Sequence, residues 1–140
     1  MPVRYNNTAM AISIQPQLTV FLDNRPGMLA RTCQALAKEG VNIQALSIFD
    51  TVDHALVRMI VSDAKKALGI LSKLQATVHE RQVLLMDMPN RPGALAKIAE
   101  QLAEAGINIE YAYCTAAQGH ADGAMVLRTS DLEGTIDALS

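Results

Sequence analysis

The chain has 140 residues, of which 50% are apolar, 19% charged and 4% aromatic, and its formal net charge is −2. This length accommodates one domain or two very small ones, and the composition is typical of folded globular proteins rather than disordered ones. A pI near 5.9 provides no basic surface for nucleic acid or anionic lipid. No apolar run is long enough to span a bilayer, and the polar N-terminus lacks a signal-peptide core. We therefore expect a cytoplasmic protein that binds neither nucleic acid nor membrane.

An internal repeat determines the predicted architecture. Residues 24–43 (NRPGMLARTCQALAKEGVNI) and residues 90–109 (NRPGALAKIAEQLAEAGINI) are identical at 11 of 20 positions, at an offset of 66. Further along the chain the offset becomes 68, where Ser62-Asp63 matches Ser130-Asp131. A two-residue insertion in a loop explains the change of offset. The chain is therefore predicted to contain two copies of one structural unit.

The first repeat opens with a short apolar run, Leu18–Leu22, which is typical of a strand buried on at least one face. The turn Asn-Arg-Pro-Gly follows, and Pro26 suits the first helical position, where a missing N–H costs nothing. Apolar residues then recur with a spacing near 3.6, which predicts a helix. Its core-facing side would be formed by Leu29, Cys33 and Leu36.

The rest of the first repeat alternates strand and helix signals. Gly40 suits a left-handed helix C-cap, and the apolar runs Ile43–Ile48 and Leu56–Val61 are predicted to form strands. Asp63 is placed to N-cap a second helix, after which Ala76–His79 would form a fourth strand. The predicted order is therefore β-α-β-β-α-β, the split βαβ unit of ferredoxin-like folds.

The second repeat carries the same signals at equivalent positions. They are the strands Val83–Met88, Ile109–Cys114 and Ala124–Leu127, the helix face Leu95, Ile98, Leu102 and Ala105, the C-cap Gly106 and the N-cap Asp131. No fourth strand follows its second helix before Ser140. An open sheet edge invites aggregation, so we expect residues 10–15 or a strand of a second subunit to cover it.

The predicted fold is α+β, with two ferredoxin-like repeats whose antiparallel sheets lie side by side and whose helices cover one face. The boundaries are an N-terminal segment, 1–15, which is a candidate edge strand, then a first repeat, 16–80, and a second repeat, 82–140, without its last strand. A unit of about 65 residues is marginally stable alone. Apolar strands and an incomplete edge favour a homo-oligomer, with a dimer as the simplest form.

The twofold occurrence of Asn-x-Pro-Gly and Gly-Val/Ile-Asn-Ile in this order of elements resembles the ACT domain. The resemblance covers residues 17–80 and 82–140, and it is strongest to stand-alone proteins made of two ACT repeats. It implies an allosteric regulatory module that binds an amino acid and controls an enzyme of amino-acid metabolism.

The motifs are also similar to the serine-sensing regulatory domain of phosphoglycerate dehydrogenases. In that domain two asparagines contact the effector across a domain interface. The resemblance places these roles on Asn24 and Asn42 in the first repeat and on Asn90 and Asn108 in the second. A histidine two residues before the first asparagine is replaced here by Leu22 and Met88.

The residues of the turn also favour a ligand site on chemical grounds. The N-terminus of a helix presents unpaired N–H groups and a partial positive charge to a carboxylate. Glycine lets the ligand approach the backbone closely, and an asparagine carbonyl accepts from an ammonium group. No recurring charged residue except Arg25 and Arg91 lies in the turn, which favours a small, neutral amino acid. The candidate ligand-binding residues are Asn24, Pro26, Gly27, Met28, Leu29, Asn42, Asn90, Pro92, Gly93, Ala94, Leu95 and Asn108.

Other interpretations remain open at this stage. The asparagines and glycines suit tight turns without any ligand, in which case the protein would be a constitutive interaction scaffold or regulatory subunit. A small enzyme that uses Cys114 or His120 is the third possibility, although neither lies in a motif with a base and an orienting group. We predict an amino-acid-sensing regulatory protein with no catalytic activity, cofactor or metal of its own, in which one or both repeats bind.

Overall fold

A computed structural model describes residues 3–5, 10–115, 118–119 and 121–140. Its strands are β1 (Val3–Tyr5), β2 (Met10–Asp23), β3 (Ile43–Asp50), β4 (His54–Val61), β5 (Thr77–Pro89), β6 (Ile109–Thr115) and β7 (Asp122–Thr129). Its helices are α1 (Met28–Lys38), α2 (Ala64–Lys73), α3 (Ala94–Glu104) and α4 (Leu132–Leu139). The residues form two compact units. The first-repeat unit is Pro16–Arg81, and the second-repeat unit combines Gln82–Ser140 with the described residues before Pro16.

The first-repeat unit contains a sheet in the strand order β3-β4-β2-β5 and the two helices α1 and α2. Strand β4 pairs antiparallel with β2, from Leu18↔Met59 to Asp23↔His54, and with β3 on its other side. Side chains of alternate residues point to the same face of a strand, and here the apolar set faces the helices. The buried core consists of Leu18, Val20, Leu22, Leu36, Val41, Val57, Met59, Val61, Ala67 and Leu71.

Local chemistry explains where the helices of this unit begin and end. The Asp63 carboxylate accepts from the Lys66 N–H at 3.0 Å and caps α2, as predicted. At the end of α1, Gly40 adopts φ +76°, and the Val41 N–H donates to the Leu36 carbonyl at 3.0 Å. This is the left-handed C-cap that the sequence predicted, and it turns the chain back toward β3.

The second-repeat unit has the strand order β2-β5-β7-β6, with α3 and α4. Strand β7 pairs antiparallel with β5 and with β6. The core of this unit consists of Ile12, Leu84, Met86, Met88, Ile98, Leu102, Met125, Leu127 and Leu139. Ile12 is fully buried in that core although it precedes the whole first repeat in the chain. Strand β1 pairs with the same segment of β2, in the register Val3↔Ile12.

Two ferredoxin-like α+β units are thus present, and the predicted fold class is confirmed. Some details differ from the prediction. The predicted strands Ala76–His79 and Val83–Met88 are present from Thr77 onward, but they are parts of one strand, β5, since no turn interrupts the extended chain between them. Pro26 lies before the N-cap of α1, which is Gly27, because the left-handed conformation of that glycine delays the start of the helix.

The core-facing sides of the two repeat helices match the prediction in part, since Leu36, Ile98 and Leu102 are buried. In α1 it is Thr32 that is buried, with its hydroxyl donating to the Met28 carbonyl at 2.9 Å, while Cys33 is half-buried. In α3, Leu95 is 49% exposed, and Ile98 and Leu102 carry the core contact. An apolar residue in the first turn of a helix is covered only where a neighbouring element reaches it.

The described helices have at most 11 residues, and none of them meets the length and hydropathy that a membrane span requires.

Candidate functional site

The turn between β2 and α1 is held by backbone and side-chain hydrogen bonds to the β3–β4 loop. The Asn24 N–H donates to the Asp53 carbonyl at 3.1 Å, and the Asn24 side-chain amide donates to the Thr51 carbonyl at 3.1 Å. Asn24 therefore does not cap α1. It ties two loops together through its nitrogen, which makes its carbonyl oxygen Oδ1 the atom available to accept from a ligand ammonium.

The N-cap residue of α1 is a glycine, Gly27. Gly27 has φ +87° and ψ −12°, and no side chain caps the helix. The left-handed conformation explains the choice of glycine there, because other residues adopt it at a cost. The first turn of α1 contains no acidic residue. The Met28 N–H donates to the Arg25 carbonyl at 3.5 Å. The remaining N–H groups of the first turn and the partial positive charge of the helix N-terminus are not compensated by a carboxylate within that turn.

A cleft of about 160 Å³ lies beside this turn on the helix-covered face of the sheet. It is lined by Leu22, Asp23, Asn24, Arg25, Met28, Leu29, Ile48, Ala55 and Val57. At the rim the Arg25 Nε lies 3.7 Å from the Asp23 carboxylate, and both side chains are more than 60% exposed. An ion pair this exposed contributes little to stability, but it partners the two charges nearest the cleft with each other.

The second repeat has the same turn geometry. Gly93 has φ +87° and ψ −10° at the N-cap of α3, again without a side-chain cap. The Asn90 N–H donates to the Ala121 carbonyl at 2.8 Å, as Asn24 does to Asp53. The walls differ: Ala94 stands where the first repeat has Met28, and Cys114 stands where it has Ile48. The two turns thus have the same backbone conformation but different neighbouring side chains.

The structure gathers five of the predicted site residues in each turn: Asn24, Pro26, Gly27, Met28 and Leu29 in the first repeat, and Asn90, Pro92, Gly93, Ala94 and Leu95 in the second. Asn42 and Asn108 lie apart from them within the same unit. The Asn24 turn bonds to the loop before β4, whereas Asn42 bonds to Ser62 after β4. An eight-residue strand separates the two ends by about 23 Å at roughly 3.3 Å per residue.

Each of these asparagines closes a reciprocal pair with a serine. The Asn42 N–H donates to Ser62 Oγ at 2.9 Å, and the Ser62 N–H donates back to the Asn42 carbonyl at 2.9 Å. Asn108 and Ser130 repeat the pair at 3.1 and 3.0 Å. The sequence analysis missed the role of these serines, although the recurrence of Ser-Asp in both repeats was a usable signal. Only the backbone of each asparagine is used in this pair.

The enzyme alternative named Cys114 and His120 as candidate catalytic residues. Cys114 is exposed on β6, and Cys33 is half-buried on α1. His120 lies outside the described residues. Within the described residues, no group of three or more His, Cys, Asp or Glu side chains is placed to hold a metal ion.

Comparisons with known proteins agree with the geometry of the fold. The profile of the ACT domain pair family matches residues 11–139. Protein BT0572 from Bacteroides thetaiotaomicron, known from a crystal structure, is 36% identical, with a TM-score of 0.85 over 91% of this chain and 88% of that one. No protein of curated function matches the chain.

Two further crystal structures share the fold at lower identity. The aspartokinase alpha and beta subunits are 21% identical, with a TM-score of 0.66 over 91% of this chain and 93% of that one. The regulatory subunit of aspartate kinase from Thermus thermophilus is 17% identical, with a TM-score of 0.66 over 93% of both chains. The family match extends across both repeats and both uncapped turns, and this chain accordingly belongs to the ACT domain pair family.

Proposed function

We propose that the protein is an allosteric sensor that binds an amino acid and controls an enzyme of amino-acid metabolism. The observation that carries this proposal is the twofold turn in which a left-handed glycine starts a helix that no side chain caps. Proteins usually satisfy the first N–H groups of a helix with a Ser, Thr, Asp or Asn cap. Here α2 and α4 have such a cap, Asp63 and Asp131, whereas α1 and α3 do not.

The turn supplies the complementary groups that a free amino acid requires. The ligand carboxylate accepts from the N–H groups in the first turn of α1 or α3. The ligand ammonium donates to the side-chain oxygen of Asn24 in the first repeat. The turn contributes no nucleophile or general base, which supports binding without catalysis.

Asn42 and Asn108 enter this proposal from a second copy of the chain, because each lies at the far end of its own sheet from the turn. Their side-chain amides are exposed, and their backbones are already bonded to Ser62 and Ser130. A ligand bound at one turn and contacted by such an asparagine stabilises the contact between two copies of the chain. Assembly into a homodimer or larger oligomer in the cytoplasm would then respond to the amino-acid concentration.

A thermal-shift screen of the purified protein against the twenty amino acids at about 10 mM each tests the proposal. A ligand with a dissociation constant near 100 µM stabilises the native state by about 2.7 kcal/mol. For a chain of this size the melting temperature then rises by roughly 6 to 12 °C. We expect one or two neutral amino acids to produce a shift of this size.

The matched variants Asn24→Ala and Asn90→Ala assign the binding to a repeat. The variant in the binding repeat loses the shift, and the other variant retains it. A screen with no shift from any amino acid would overturn the proposal. It would favour a constitutive interaction scaffold, for which the exposed apolar residues Ile48, Phe49 and Val52 around the β3–β4 hairpin provide a surface.

A further inference from the structure

We infer that the turn of the first repeat binds an amino acid with an aliphatic side chain and that Ile48 determines this preference. The inference rests on the proposed sensing function and adds the ligand class and the repeat. It follows from the walls of the 160 Å³ cleft beside Asn24.

Ile48 is an apolar residue on the core-facing side of β3 that packs in no core. It pairs with Val57 on β4, whose side chain is 1% exposed. Ile43 and Leu46, on the same face of β3, pack against the core of the unit. Ile48 itself is 46% exposed and lines the cleft. An aliphatic group in the cleft would remove this apolar surface from water, which favours binding in proportion to the area buried.

The other walls of the cleft are also apolar where a ligand side chain would lie. Leu29, Met28 and Ala55 are partly buried residues that pack against the core with their other sides. The polar groups are confined to the rim, where Asn24 and the Asp23–Arg25 pair lie. A ligand held at the rim by its carboxylate and ammonium therefore places its side chain against Leu29, Ile48 and Val57.

The charges at the rim disfavour acidic and basic amino acids. The Arg25 Nε and the Asp23 carboxylate lie 3.7 Å apart, so their opposite charges largely offset each other at the rim. A charged ligand side chain against Leu29, Ile48 and Val57 would lose its hydration, because none of these three walls carries a charge. A serine hydroxyl would meet the same apolar walls.

The size of the cleft fits a branched aliphatic side chain. At about 160 Å³ it is close in volume to the engineered apolar cavity of about 150 Å³ that accommodates benzene. A leucine or valine side chain has fewer non-hydrogen atoms than benzene. The cleft therefore has room for either side chain together with part of the ligand backbone.

The second repeat lacks these walls. The position of Ile48 is taken by Cys114, which pairs with Met125 as Ile48 pairs with Val57. The shorter Ala94 replaces Met28, and Leu95 is 49% exposed rather than partly buried. The two turns thus share their backbone donors but differ in the surface offered to a ligand side chain. This difference assigns the aliphatic preference to the first repeat.

Isothermal titration of the full chain with leucine, valine, alanine, serine, aspartate and lysine tests the inference. We expect leucine and valine to bind at least about 10-fold more tightly than alanine or serine, because each buried methylene group contributes about that factor or more. Aspartate and lysine should bind more weakly still. The variant Ile48→Ala should weaken leucine binding about 10-fold while changing alanine binding by less than 3-fold.

Two further variants keep the result interpretable. Ile48→Phe fills the cleft and should reduce leucine binding more than alanine binding, and Cys114→Ala is the matched change in the second repeat and should leave leucine binding unchanged. Circular dichroism establishes that each variant folds.

Tighter binding of serine or aspartate than of leucine would overturn this inference and uphold the sensing function. Leucine binding that responds to Cys114→Ala instead of Ile48→Ala would overturn the assignment to the first repeat. No binding of any amino acid would overturn both proposals.

Discussion

The turns of the two repeats have almost the same backbone and quite different surroundings. Gly27 and Gly93 share φ +87°, and each helix begins without a side-chain cap. Yet Ile48 lines a cleft in the first repeat, and the exposed Cys114 takes its place in the second. A turn is determined by a few adjacent residues, whereas a cleft wall is contributed by a strand some twenty residues away. The two repeats therefore share the backbone of the turn and differ in the side chains that surround it.

Substitutions in the cores of the two units should have the largest effect on stability, and they test whether matching positions of the two repeats are equally buried. Leu36 and Leu102 occupy matching positions on α1 and α3, and both are 0% exposed. Leu36→Ala and Leu102→Ala should each lower the free energy of unfolding by about 3 kcal/mol, because each removes buried carbon atoms and leaves a cavity. Urea unfolding followed by far-UV circular dichroism measures the change.

The exposed Leu95 serves as the control for these core variants. Leu95→Ala should cost well under about 1 kcal/mol, since nearly half of that side chain is already in water. A cost for Leu102→Ala no larger than that of Leu95→Ala would contradict the description of the second core.

The capped helices are expected to show the next largest effect, and the same one in both repeats. Asp63 accepts from Lys66 N–H at 3.0 Å and Asp131 accepts from Gly134 N–H at 2.9 Å. Asp63→Ala and Asp131→Ala should each cost about 1 kcal/mol of unfolding free energy, because one orphan N–H loses its acceptor. Thermal unfolding of each variant measures the loss, and Asp63→Asn, which retains an acceptor, should lose much less. Equal losses for the Ala and Asn variants would rule out the cap as the cause.

The uncapped turns should give the smallest change in stability. Gly27→Ala and Gly93→Ala should each destabilise the protein by about 0.5 to 1 kcal/mol, because a left-handed residue with a Cβ costs about 1 to 2 kcal/mol and the stiffer unfolded chain returns part of that. No atom lies within 4 Å of the Cβ that either substitution would add, so strain rather than a clash causes the effect.

A glycine in an ordinary helical conformation is the matched control for this pair. Gly69 lies inside α2 with open space around it, and Gly69→Ala should raise stability by a few tenths of a kcal/mol up to about 1 kcal/mol. Both sets of variants are compared by their melting temperatures. If Gly27→Ala were as stabilising as Gly69→Ala, the left-handed start of α1 would be wrong.

Much of this fold was predictable because its signals are local. The C-cap at Gly40 and the N-caps at Asp63 and Asp131 follow from residue chemistry within one turn of a helix, and the structure has all three. The start of α1 was predicted too early because Pro26 is a good first helical residue. Gly27 instead adopts a conformation that the sequence permits but does not require.

The candidate site was predictable only in part, for a similar reason. The turn residues of each repeat are adjacent in the chain, so their proximity needs no tertiary information. Asn42 was joined to Asn24 by family resemblance. Within one unit they bond to opposite ends of β4, which is about 23 Å long. Ile48 went unnoticed because an isoleucine in a strand normally indicates a core position.

By itself, the sequence determined that the protein contains two repeats with equivalent turns, β-α-β-β-α-β in the first and the same order without the last strand in the second. A repeated order of residues entails a repeated order of local structure. Only the tertiary structure decided how the second-repeat unit is completed. Ile12 is buried in the core of that unit, although about seventy residues separate it from its neighbours Leu84 and Met86 in the chain. Such a contact comes from strand pairing and burial between distant segments, which leave no periodic pattern in the sequence.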